Sequence, residues 1–276
     1  VDLQSTRYRI TDRSAVITLH RPERGNAWTG RMHAEYKHCL VRAERNASVR
    51  TIVVTGEGWA FCVGGDAEAL NDHGRRGGYD DGLTDAGDKA APLSELASAV
   101  SPDFDGEFAY HFALTKPVIA AINGPAAGIG LALACFADLR FAVPGAALTS
   151  AHGRLALPPE YGLSWLLPRQ IGLSRAMELL MTSRRFLTDE AHELGLVSRL
   201  VPPDELLQHT LGFAHTLAST NSAGALAATR HMVYLDQTRA IASSVEESRR
   251  RLASMMGRAD YRQGVEALID NREPEF

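Results

Sequence analysis

The chain has 276 residues, of which 45% are hydrophobic and 22% charged, and its formal net charge is -4. That length suits one large domain, or one domain with a small appendage, and it allows a substantial core. No basic block interleaved with aromatics is present, which argues against nucleic acid as a main partner, and no apolar run is long enough to span a bilayer.

Val1 to Arg9 is polar rather than signal-like, so a cytoplasmic location is the expectation. Tyr8–Thr11 and Ala15–Leu19 alternate as two strands around a polar Asp12-Arg13-Ser14 turn, which makes a hairpin. Trp28 to Glu44 carries Met32, Tyr36, Cys39, Leu40 and Ala43 at helical spacing, with Thr29 placed to cap it. Thr51–Thr55 is a short β-branched run; a glycine turn follows, then Asp66 in capping position before a helix beginning at Ala67. Asn71 to Asp88 is rich in Gly, Asp and Arg with almost no apolar periodicity, so a mobile loop is expected. Leu93 to Leu114 is helical in part and interrupted by Pro102, with His111 expected as a partly buried structural residue.

Lys116 to Asp138 reads KPVIAAINGPAAGIGLALACFAD. Val118–Ile122 is a buried strand, Asn123-Gly124-Pro125 breaks it, and Ala126 to Ala137 is apolar enough to form a helix buried on nearly all sides. Gly128 and Gly130 at its entry would let backbone approach a ligand, and the entry offers unpaired N–H groups to an oxygen acquiring negative charge. Packing alone is the other reading of the same residues. Leu139–Val143 and Ala147–Thr149 are further strands. Helices are then predicted over Ser174–Thr182 and Thr188–Leu194, with Ser174 and Thr188 as caps. A strand near Val201 follows, and helices over Pro203–Ser219, Ala223–Leu235, Ile241–Arg250 and Tyr261–Ile269 end the chain. Strands alternating with helices predict an α/β core. The ten histidines lack metal-ligand spacing, and Cys39, Cys62 and Cys135 read as reduced, mostly buried thiols.

Two glycine-bearing stretches, Ala60-Phe61-Cys62-Val63-Gly64-Gly65-Asp66 and Asn123-Gly124-Pro125-Ala126-Ala127-Gly128-Ile129-Gly130, resemble the paired signatures of the crotonase (enoyl-CoA hydratase/isomerase) superfamily. His20 to Ala27 resembles the segment after that family's first hairpin. The likeness runs from about Tyr8 to the C-terminal helices, with a poorly matching insert over residues 71–106. It implies an α/β crotonase-like spiral of repeated ββα units over residues 1–200, then a C-terminal helical trimerisation region over 201–276. A homotrimer or hexamer is therefore expected.

The activity implied is acyl-CoA processing by a lyase or isomerase. A thioester enolate would be held in an oxyanion hole made by the backbone N–H groups of Gly65 and Ile129. Arg24, Ala27, Cys62, Gly64, Asp66 and Gly128 would lie around the substrate and its coenzyme A. Coenzyme A enters as part of the substrate; no separate cofactor and no metal is implied. The two glutamates of the hydratases are absent, since Ala132 and His152 stand at their positions. Glu160, eight positions beyond His152, matches the place where relatives that isomerise dienoyl thioesters or dehalogenate aromatic ones carry a working carboxylate. An acid that only begins a helix is the plainer reading of Glu160, as packing is of His152. Other crotonase reactions, including dienoyl isomerisation, dehalogenation and hydrolysis, and a non-catalytic CoA-ester-binding protein stand as alternatives. A dinucleotide fold is disfavoured because Gly128-Ile129-Gly130 lacks the third glycine of that pattern, and Gly162-Leu163-Ser164-Trp165-Leu166 lacks the closing glycine of a nucleophile elbow.

Overall fold

The structure is a computed structural model that describes residues 2–76 and 91–276. In chain order the elements are β1 (Thr6–Thr11), β2 (Ser14–Leu19), α1 (Gly30–Arg45), β3 (Thr51–Gly56), α2 (Ala67–Arg76), α3 (Ala91–Val100), β4 (Val118–Ile122) and β5 (Ala126–Ala127). They continue with α4 (Ile129–Phe136), β6 (Leu139–Ala142), β7 (Ala147–Thr149), α5 (Leu163–Ile171), α6 (Leu173–Thr182), β8 (Phe186–Leu187), α7 (Thr188–Glu193), β9 (Arg199–Leu200), α8 (Leu206–Thr220), α9 (Ala223–Leu235), α10 (Ile241–Met256) and α11 (Ala259–Ile269).

A six-stranded sheet in the order β1-β2-β3-β4-β6-β9 forms the centre. Only the β1–β2 hairpin is antiparallel; from β2 onward each strand runs parallel to its neighbour. Side-chain alternation divides the strands between two cores. Ile17, Leu19, Ile52, Val54 and Ala120 face the main core beneath α1 and α4, while Val16, Val53, Ile119, Ala121 and Phe141 face a second core covered by Leu206 and Ala214 of α8. A smaller sheet, β5-β7-β8, stands beside the first and carries the backbone that leads into α4.

Thr29 caps α1 by accepting from Met32 N–H at 3.2 Å, as its position predicted. Several boundaries differ from the expectation. Ala126 and Ala127 are a strand paired with Leu148 and Thr149, and α4 begins only at Ile129. The cause is Gly128, at φ 50° and ψ -119°, a conformation that ends the strand before the helix can start. Ser174 and Thr188 are not caps. Ser174 lies within α6, which starts after Gly172 at φ 85°, and the Thr188 hydroxyl is spent on Val143 O at 2.7 Å and Ala146 N–H at 3.0 Å. Asn71 to Arg76 continue α2 instead of opening a loop; the remainder of that expected loop, residues 77–88, lies outside the described residues.

His111 is fully buried, not partly. Its Nδ1 lies 2.6 Å from Phe108 O, a carbonyl that can only accept, so Nε2 is the acceptor for the Tyr36 hydroxyl at 2.8 Å. Burial pushes its pKa down to about 3, leaving it a neutral structural group. The three cysteines are free and buried. Among the described residues no helix is long and apolar enough to cross a membrane.

The C-terminal helices are fastened to the core by Asp138, just past α4. Its carboxylate accepts from Arg230 Nε at 2.7 Å, from Val118 N–H at 2.6 Å and from the Tyr234 hydroxyl at 2.5 Å. Arg230 is only 6% exposed, and it also donates to the carbonyls of Leu114 and His111. Removing one member of a buried ion pair strands the other without water or a counter-charge. Asp138→Ala is therefore expected to lower stability by about 3–5 kcal/mol, read as a lower urea midpoint with an unchanged slope.

Candidate active site

Two turns of backbone meet at the head of α4. Ala127 N–H donates to Cys62 O at 2.9 Å, and Cys62 pairs with Ala126 as an isolated parallel bridge. Contact this close requires glycine at position 130, where a Cβ would lie 2.1 Å from Cys62 O. Gly64 sits at φ 110°, a conformation that side chains oppose.

Gly65 and Ile129 lie on these two turns. Trp28 N–H donates to Gly64 O at 2.8 Å and Asp66 N–H to Trp28 O at 3.0 Å, so the bridge uses the groups on either side of Gly65. Ile129 opens α4, where the first N–H groups have no partner within the helix. Neither N–H meets an acceptor among the described residues.

Glu160 comes to the same place from the other side. Its Oε2 is 3.8 Å from the point that a Cβ on Gly128 would occupy, while Gly64 Cα and Ser150 O are each 4.0 Å from that point. Gly64, Ser150 and Glu160 thus surround the vacant side of Gly128. Burial raises the Glu160 pKa above its ordinary value of 4.5, and no neighbouring charge offsets it. The segment that delivers Glu160 is strained, with Ala151, Ala156 and Tyr161 at φ 57°, 56° and 48°. Left-handed non-glycine residues cost about 1–3 kcal/mol each and collect where surrounding structure holds them for a purpose.

His152 is 7% exposed, and its Nδ1 is buried with no hydrogen-bond partner among the described residues. Ala132, expected at a hydratase glutamate position, is fully buried in α4. Asp66 is buried; its Oδ1 caps α2 through Glu68 N–H at 3.0 Å, and its Oδ2 meets Arg21 Nη1 at 3.0 Å. Arg24 is drawn into the same cluster, 3.5 Å from Asp66 and 3.2 Å from Glu68, with its head group partly exposed. Ala27 is buried beside them and its carbonyl accepts from Arg21 at 2.8 Å. Cys62 is wholly buried and its thiol is pushed up to about 12, so it is a packing residue of the turn and not a nucleophile.

Sequence reasoning overlooked Arg21, which ties Ala27 to Asp66, and the Ser150 carbonyl. Arg21 carried a signal, lying three positions before Arg24; a backbone oxygen carried none. Among the described residues no cluster of His, Cys, Asp or Glu is arranged to hold a metal ion.

The family model described as enoyl-CoA hydratase/isomerase matches residues 10–276. The chain belongs to the enoyl-CoA hydratase/isomerase family. It is 33% identical over 262 residues to a 1,2-epoxyphenylacetyl-CoA isomerase of Escherichia coli K12, covering 94% of this chain and 93% of the relative. It is 34% identical over 270 residues to a probable enoyl-CoA hydratase of Rhodobacter capsulatus, covering 98% of this chain and 96% of the relative. Among solved structures, a probable enoyl-CoA hydratase/isomerase from Mycobacterium abscessus superposes with TM-score 0.80 at 30% identity, covering 98% of this chain and 97% of the other. A putative enoyl-CoA hydratase from Streptomyces coelicolor A3(2) gives TM-score 0.81 at 30% identity, covering 100% and 94%. The fold is thus the crotonase fold, with the four helices α8 to α11 at its C-terminal end.

Gly130 tests the contact between the two turns. Gly130→Ala is expected to destabilise by about 1–3 kcal/mol, because its methyl group forces the turns apart. Thermal unfolding measures this, and an unchanged midpoint would mean that the turns can separate freely.

Proposed function

We propose that this enzyme removes a proton from an acyl-CoA thioester with Glu160 as the acid/base. The resulting enolate oxygen is held by the N–H groups of Gly65 and Ile129. The observation that carries the reading is the 3.8 Å approach of Glu160 Oε2 to the open side of Gly128, one residue before the Ile129 N–H. A carboxylate with a raised pKa is suited to shuttling a proton near neutral pH. Two fixed donors at the site of developing charge supply the other half, each worth about 3–4 kcal/mol in the transition state.

With Ala132 and His152 at the hydratase carboxylate positions, a single carboxylate moving one proton favours isomerisation over addition of water. The similarity to an isomerase of an aromatic acyl-CoA supports the same side. His152, through its buried Nδ1, would position a water or a substrate oxygen. Coenzyme A is part of the substrate, with Arg24 its candidate contact among the residues around Asp66. A trimer or dimer of trimers, carried by the exposed apolar side chains of α10 and α11 such as Ile241, Leu252 and Leu268, completes the proposal.

Glu160→Gln is expected to abolish turnover while leaving CoA-ester binding within a few fold. Mass spectrometry of an acyl-CoA panel in deuterated water and in water enriched with heavy oxygen checks it. Deuterium gain without oxygen gain supports isomerisation; unchanged turnover by the variant removes Glu160 from the mechanism.

The pH dependence follows from the raised pKa. Folding raises this carboxyl above its unfolded value, so its contribution favours the fold below about 4.5 and is lost as pH rises through the higher folded value. Glu160→Gln is therefore expected to be at least as stable as the parent at neutral pH, with its advantage vanishing in acid. The acid limb of kcat should lie above the ordinary carboxylate range.

A further inference from the structure

A cavity of about 490 Å³ opens beyond the C-terminal end of α4, bounded by the Pro102–Phe104 turn, α5 and the end of α9. Its walls are rings: Phe104, Phe112, Phe136, Trp165 and Tyr234. Phe112 is the hub, stacked on Tyr234 at 4.1 Å between ring centres and lying 5.4 Å from Phe136, 5.8 Å from Trp165 and 5.8 Å from Phe104. Tyr234 is held from behind by Asp138 at 2.5 Å, and Phe112 and Phe136 are buried, so this wall is set before any ligand arrives. Polar groups, Asp103 and Arg239 among them, complete the lining.

The cavity and the candidate base share one turn. Gly162 lines the cavity, and Glu160 two residues earlier faces Gly128. A Cβ on Gly162 would lie 3.6 Å from the Phe136 ring. Further rings continue back toward the thioester end. Phe108 lies 6.0 Å from Phe136, 4.8 Å from Tyr161 and 5.9 Å from Trp28, and Trp28 is bridged to Gly65. At about 1.5 Å per residue, the seven steps along α4 separate Ile129 from Phe136 by about 10.5 Å. An acyl group that starts at that amide and follows α4 needs a long chain to reach the cavity.

We propose that this cavity receives an aromatic ring at the far end of a long acyl-CoA thioester, a substrate class that rests on the thioester reading above. Five rings set at mutual angles from 25° to 68° favour a flat π-system over an alkyl end, which fills space without stacking. The volume falls within the range of about 300–1,000 Å³ usual for small-molecule sites.

The test compares three probes on the full chain: butyryl-CoA, n-tetradecanoyl-CoA and ω-phenyl-octanoyl-CoA. Affinity is measured by calorimetry and α-proton exchange by mass spectrometry in deuterated water. The phenyl ester is expected to bind about tenfold tighter than the alkyl ester of equal carbon number. Ala109→Phe, which fills the cavity, and Trp165→Leu, which keeps an apolar wall without its ring, should each remove that preference while leaving butyryl-CoA binding within twofold. Equal affinity for phenyl and alkyl esters, or a preference that survives both substitutions, overturns the proposal. Exchange of butyryl-CoA without ring preference sinks the ring site alone, whereas failure to bind any CoA ester sinks the thioester reading with it.

Discussion

The structure depends on a backbone contact that excludes side chains. Cys62 O and the first turn of α4 approach so closely that Gly130 has no room for a methyl group, and Ala127 N–H closes the contact with a hydrogen bond to the same carbonyl. The central sheet makes this possible. Parallel β3 and β4 are neighbours, so the turns that leave their C-terminal ends emerge side by side. Asn123 reinforces the junction by donating to Gly58 O and Ala60 O and accepting from Gly56 N–H. Everything proposed for the site follows from two unpaired amides held in register by bonds that do not use them.

That contact also explains why the site is rigid on one side and strained on the other. The turns at Gly64 and Gly128 rest on a sheet whose central strands are buried on both faces. The segment from Ser150 to Gly162 has no such foundation. It crosses the head of α4 as short helical turns, with left-handed backbone at Ala151, Ala156 and Tyr161. Its energetic cost is offset by anchoring at both ends: Ser183 receives Gly153 N–H at 3.0 Å, and Leu163 and Leu166 are buried under α4. A path that a relaxed loop would not take brings Glu160 to Gly128.

Most of the sheet and the order of the helices were legible from the sequence, because β-branched runs such as Thr51–Thr55 and apolar repeats such as those of α1 report burial locally. Ala126 and Ala127 were misread for a physical reason. Small apolar residues carry no preference strong enough to separate strand from helix, and the decision rests on Gly128 and on β7, which arrives twenty residues later. Thr188 was misread because a hydroxyl near a helix start has competing partners, and Val143 O and Ala146 N–H are invisible until the fold assembles, whereas Ser174 was misread because the helix starts one residue before it, after Gly172. Glu160 became a candidate through resemblance, since its spacing from His152 has no local signature. The ring-lined cavity was beyond reach altogether: Phe104, Phe136, Trp165 and Tyr234 are scattered over four separate elements of the chain.

On the proposed reading, the electrostatics of the site act in one direction at both ends of the proton transfer. Before transfer the negative charge sits on Glu160, whose burial without a counter-charge disfavours it. After transfer the charge sits on the thioester oxygen, where two amides are aimed and the positive end of α4 adds to their effect. Total charge is unchanged, so no ion needs to enter or leave a half-buried pocket. A base destabilised in its charged form and an acceptor stabilised in its charged form shorten the same barrier. An arginine beside Glu160 would therefore slow the step even while it made the resting protein more stable.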